Sequence, residues 1–176
     1  MNLRKINAVF GLLATVLLLG HAISLAVWML SQGTVPKAPE AMPRALTFVF
    51  VIHIILSIVL IISTNKGRRK SSGKHYFKLN RATLFQRVSG ILLIIFTPPH
   101  ILGATGVIQP APLVHATLPV MFFCLSMAHA AISANKALIT LGIGHAAFVK
   151  RAGIAIKVIC ATTLVADIIG FYLYVC

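Results

Sequence analysis

Residues 45–64 read ALTFVFVIHIILSIVLIIST, a run without a charged side chain and with one histidine, His53, near its middle. A bilayer's hydrocarbon core, about 30 Å thick, is crossed by about 20 apolar residues in a helix, so this stretch predicts a transmembrane helix. Working outward, four more runs of the same kind appear at approximately 7–30, 86–108, 113–140 and 152–174. The composition agrees. Hydrophobic residues make up 59% of the 176, charged residues 10%, and the mean hydropathy is +0.96, against roughly 45–50% and 25% in a soluble domain. The expected fold is therefore all-α, a five-transmembrane-helix bundle forming one integral membrane domain over residues 1–176. The first run follows Arg4 and Lys5 and so resembles a signal peptide, but its length and the lack of a small-residue cleavage pattern predict a retained helix.

Sixteen Lys and Arg stand against two acidic residues, a net charge of +14. Such a balance suits nucleic acid, a membrane surface or an acidic partner. Here the cations lie between apolar runs rather than on the polar surface of a soluble module, which excludes a nucleic-acid partner. All of them except Lys37 and Arg44 fall on one side of the predicted spans. By the positive-inside rule that side is cytoplasmic, placing the amino terminus inside and the carboxyl terminus outside. Trp28, Tyr172 and Tyr174 then fall near the outer boundary. The short connections predict that consecutive helices pack as antiparallel neighbours. The basic segment from Asn65 to Lys74 reads either as a solvated orientation signal or as a docking surface for a cytoplasmic partner. Cys124, Cys160 and Cys176 are dispersed and form no metal or disulfide pattern; the first two are expected to be buried as small apolar side chains.

Histidine is costly inside hydrocarbon and tends to mark function there. Three of the seven histidines, His75, His115 and His145, are peripheral. The other four fall one to each of the first four spans. At 1.5 Å per residue, His21 and His100 each lie about 14 residues from the inner start of their helices, nearer the outer face. His53 and His129, on helices running the other way, lie about 11 residues from the inner ends. The histidines thus sort into two levels, each drawing one imidazole from each of two helices. Facing helices of a bundle supply cofactor ligands in this way, and a haem iron takes two axial imidazoles. Two levels would hold two bis-histidine b-type haems; the alternative is four histidines satisfied separately by interhelical hydrogen bonds. Small residues around His21 (Gly20, Ala22, Ser24) and after His129 (Ala130, Ala131, Ser133, Ala134) leave room for a flat macrocycle, and serve close helix packing equally. Pro98 and Pro99 are expected to loosen the third span just before His100. No CxxCH is present for covalent haem attachment, and four ligands at two depths do not converge on a tetrahedral zinc.

With these histidines, the stretch Leu84-Phe85-Gln86-Arg87-Val88-Ser89-Gly90 opening the third span, and the small residues behind His129, the chain resembles the five-helix, two-haem cytochrome b subunit of succinate:quinone oxidoreductases and quinol:fumarate reductases. The resemblance implies that His21 and His100 ligate the outer haem and His53 and His129 the inner one. It further implies that Arg87 helps neutralise a haem propionate, with Ser89 and Gly90 beside the cofactor; the alternative for Arg87 is a snorkelling end residue. It also implies a cytoplasmic flavoprotein and an iron–sulfur protein as partners, and a membrane quinone, menaquinone in the first instance, as the electron-exchange partner in a prokaryotic cytoplasmic membrane. The chain itself has neither a Gly-rich nucleotide fingerprint nor a cysteine cluster, so any flavin site lies on another chain.

The two acidic residues are candidates for proton transfer. Asp167 lies about 15 residues up the fifth span, where an intramembrane carboxylate is a functional hypothesis by default. Family members are known for a proton-carrying acid in this helix, and here it is an Asp rather than the longer Glu. Glu40, in the outer loop, is placed to accept a proton from quinol, or is a solvated loop carboxylate. Two other functions fit the same residues: a free-standing two-haem cytochrome, and a haem-free transporter or assembly factor with polar histidines.

Overall fold

The computed structural model describes residues 2–37, 39–71, 81–108 and 112–175, with the side chains of 64–71, 112–116 and 175 outside the description. Among the described residues it is helical, without strands: α1 (Leu3–Leu30), α2 (Ala41–Ser71), α3 (Arg81–Ala104), α4 (Pro112–Leu141) and α5 (Ala146–Val175). All five are long and apolar enough to cross a membrane. Apolar side chains cover their outer faces, with Val16, Phe48 and Ile139 more than half exposed at 66%, 68% and 61%. Such all-round hydrophobicity is tolerable where lipid is the solvent.

Local chemistry sets the helix ends. Asn2 caps α1, its side chain accepting from the Arg4 amide at 3.2 Å, a standard way of satisfying an orphan donor. At the other end Gln32 (φ 53°) and Gly33 (φ 77°) turn the chain through the left-handed region, which the missing Cβ of Gly33 makes inexpensive. Most ends differ by a few residues from the hydropathy pattern. The largest shifts are at the end of α2, Ser71 rather than 64, and the start of α5, Ala146 rather than 152, where the helix continues through polar and charged residues that hydropathy excludes; α3 starts at Arg81 rather than 86 and stops at Ala104 rather than 108, just before Gly106 (φ 73°). The helix runs through Pro98 and Pro99, with the Thr97 hydroxyl donating to the Leu93 carbonyl at 2.6 Å.

The packing order corrects one expectation. Neighbours α1 and α2, α3 and α4, and α4 and α5 pack together, but α2 and α3 do not form an extensive contact among the described residues; α1 instead packs on α4 and α5. The four histidine-bearing helices thus run around the bundle in the order α2, α1, α4, α3, and α5 covers the outside of α1 and α4. Close approach there depends on small residues, as is usual for helices in lipid. Ala22, Ala130 and Cys160 share one buried cluster with Met127, and a Cβ on Gly170 would stand 3.1 Å from that of Met29. Cys160 is buried as its apolar setting predicts, whereas Cys124 is exposed; periodicity this uniform does not tell which side of a helix meets lipid.

Candidate functional site: a four-histidine cavity

The gap between α2 and α3 belongs to a cavity enclosed by α1 to α4, with about 880 Å³ of empty space counting its open mouth. His21, His53, His100 and His129 all line it, one from each helix. The remaining wall is mainly apolar and often small, including Gly11, Ala14, Leu93 and Ala130. Across the cavity His100 is the electrostatic neighbour of His21, and His129 of His53. The pairing is the one the depth argument gives.

The inner pair, toward the end where α1 begins, is held by hydrogen bonds. His53 Nδ1 lies 3.3 Å from the Asn7 carbonyl. A reciprocal contact of the Asn7 amide with Ser57 Oγ, at 3.2 and 3.3 Å, ties α1 to α2 one turn away. His129 Nδ1 lies 2.8 Å from Ser89 Oγ, and its Nε2 lies 3.2 Å from Ser133 Oγ. Ser89 is 2% exposed. The outer pair is held differently: the His100 ring stacks on Phe122 with centroids 4.1 Å apart and planes 14° from parallel. Among the described residues neither His21 nor His100 has a hydrogen bond to its ring nitrogens.

Gly90 sits against His129, where a Cβ would be 3.4 Å from Cε1. Arg87 is half-buried one turn from the start of that contact, close enough to interact electrostatically with Lys136 of α4. Lys136 donates to Thr83 Oγ1 at 3.0 Å and to Gln86 Oε1 at 2.9 Å, fastening α4 to α3. These two cations stand without an acidic partner among the described residues. Composition explains why. The chain's two acids are elsewhere: Glu40 pairs with Arg44 on the exposed turn where α2 begins, and Asp167 is fully buried on α5 with both carboxylate oxygens unpaired among the described residues. Neither lines the cavity.

Sequence reading missed Asn7, Gly11, Ser57 and Lys136, because contact across helices depends on rotation about each axis, which depth does not give. Ser133 was legible, standing one turn after His129. The basic segment from Asn65 to Lys74 runs beyond the described residues, as does His75, and the side chain of His115 is outside the description. His145 is exposed in the turn before α5. Trp28 and Tyr174 pack at one end of the bundle, centroids 4.5 Å apart, with the Lys37 ammonium 3.9 Å over the Trp28 ring.

Chemically, the cavity offers two pairs of imidazoles in an apolar enclosure, the donor set that fills both axial positions of a haem iron. Among the described residues no three His, Cys, Asp or Glu side chains come together as a protein-only metal centre. No protein-family model, curated protein or solved structure matches the chain.

Proposed function

We propose that this chain is a dihaem cytochrome b membrane anchor that transfers electrons between a cytoplasmic flavoprotein and iron–sulfur succinate dehydrogenase or fumarate reductase and a membrane quinone, menaquinone in the first instance. One observation carries the reading: four histidines from four helices line a single apolar cavity and fall into two pairs. The residues fit the group. Small alanines line the wall, each level supplies two imidazoles, and Arg87 and Lys136 place positive charge at the inner end, where propionates would find donors. When bound, the two haems supply one-electron carriers at two depths of the membrane.

The chain's own residues then have separate tasks. His21 with His100 and His53 with His129 hold the irons, Ser89 and Gly90 shape the inner level, and the apolar wall excludes water from both. Asp167, an isolated buried carboxyl, is the proposed proton carrier, and Glu40 the proposed acceptor at the outer surface. The inner basic segment is the proposed landing surface for the soluble partners.

The test is a haem count. Purified in mild detergent from its own membrane, the chain is expected to carry two haems b per polypeptide by pyridine haemochrome and to bring a flavoprotein and an iron–sulfur protein with it. A colourless preparation would refute the cofactor; two haems without the partners would favour a free-standing cytochrome.

A further inference from the structure

The two inner histidines share a feature the outer two lack. Each meets, from the neighbouring helix, an oxygen at its Nδ1 and a glycine at its Cε1 edge. For His53 these are the Asn7 carbonyl at 3.3 Å and Gly11, where a Cβ would be 3.1 Å from Cε1 and 3.4 Å from Nδ1. For His129 they are Ser89 Oγ at 2.8 Å and Gly90, where the distance to Cε1 would be 3.4 Å. The repeat is local to this level: Gly20, expected to leave room for a macrocycle beside His21, instead faces the end of Met42 at 3.6 Å from Sδ and is not among the residues that line the cavity.

Hydrogen counting assigns the tautomer. A backbone carbonyl only accepts, so His53 Nδ1 donates to Asn7. Ser89 has one hydroxyl hydrogen and two carbonyls in reach, Phe85 at 2.7 Å and Gln86 at 3.3 Å. When that hydrogen goes to the Phe85 carbonyl, the shortest of the contacts, a lone pair is left toward the ring and His129 Nδ1 donates as well. Ser133, at 3.2 Å, is then the donor to His129 Nε2. In that tautomer Nε2 carries no hydrogen, the form in which imidazole ligates a metal, with the Nδ1 hydrogen bond fixing ring orientation; at His129 the Ser133 hydroxyl occupies that lone pair and must turn away for a metal to take it.

Resting on the haem reading, we infer that Asn7, Gly11 and Ser89 are positioning residues for the inner iron: α1 and α3 carry matching clamps that set His53 and His129 in the Nδ1–H tautomer. The outer pair is oriented by packing alone, with Phe122 against His100. Gly11 is the sharpest element, because its function is to have no side chain. Alanine there favours the helix by about 1 kcal/mol, so any loss of cofactor does not come from a weakened α1; the added methyl pushes the His53 ring, which must give by a few tenths of an ångström beside its carbonyl.

The experiment compares haem stoichiometry and the ferric low-spin resonance spectrum of the full chain with those of Gly11→Ala, Ser89→Ala and Gly20→Ala. Gly11→Ala is expected to fall from two haems to one and to keep the outer signal. Ser89→Ala is expected to weaken inner-haem retention by roughly 10–100-fold, the usual cost of removing such a partner, and to shift the inner signal alone. Gly20→Ala is expected to keep two. Two haems with unchanged spectra in both clamp variants would overturn the inference and leave the haem reading standing. Equal losses in Gly11→Ala and Gly20→Ala would overturn it as a general packing effect. A haem-free parent chain would overturn both.

Discussion

Replacing His53 or His129 by alanine is expected to lower the haem content from two per chain to one and to stop electron flow from the soluble partners to quinone. Both residues belong to the inner level, through which every electron must pass if the partners dock at the cytoplasmic end. The structure supplies a way to separate lost ligation from lost folding. His129 also touches Ser89 and Ser133; Ser89 keeps its bond to the Phe85 carbonyl when the ring is removed, and Ser133 is left to re-pair, at a cost of about 1–3 kcal/mol if it stays unsatisfied. Added imidazole is the appropriate rescue, since it fits the space the side chain leaves and restores a nitrogen at the iron. Recovery of the second haem and of electron transfer on adding imidazole is the expected result, read by reduced-minus-oxidised spectra. A normal haem count in either variant without imidazole would refute the ligand assignment.

The second large effect concerns Asp167. Its side chain is 0% exposed and both oxygens lack a partner among the described residues, although a buried polar group without a hydrogen bond costs about 1–3 kcal/mol. Nothing in the helix contact needs a carboxyl there. Asp167→Val is therefore expected to leave stability unchanged or raised, by up to about 1–3 kcal/mol, read as an unchanged or higher thermal midpoint, and haem content at two. Asp167→Asn, nearly isosteric but unable to carry a proton, is expected to slow quinone-coupled proton movement on the order of 10²-fold, the lower range for losing a positioned acid or base. Proteoliposomes with a pH-sensitive dye give the rate. Destabilisation of both variants with unchanged proton movement would make Asp167 structural. Glu40→Gln is the useful contrast, because Glu40 pairs with Arg44 in the open.

Much of the bundle was legible from residues because lipid imposes a simple rule: each crossing helix must be long, apolar and internally hydrogen-bonded. That rule found five helices without knowing their neighbours. Depth was legible too, since position along a helix converts directly to height, which is how His21 was matched with His100 and His53 with His129. Rotation was not. The helices are apolar on nearly all faces, so hydropathy does not tell which side meets a neighbour. Cys124 was expected inside and is exposed, and α2 and α3, adjacent along the chain, were expected to pack and instead flank the cavity.

The sequence by itself determined that this is a five-helix, membrane-spanning chain, with a histidine in each of its first four helices and with almost no acid to balance its cations. Tertiary structure alone decided that these histidines line one cavity, that Asn7, Gly11 and Ser89 stand against the inner pair, and that Asp167 is sealed away on α5. The reason is geometric. Length and hydropathy act along a helix axis, whereas a site is assembled by rotations about several axes, and those are settled only when small residues let particular faces approach.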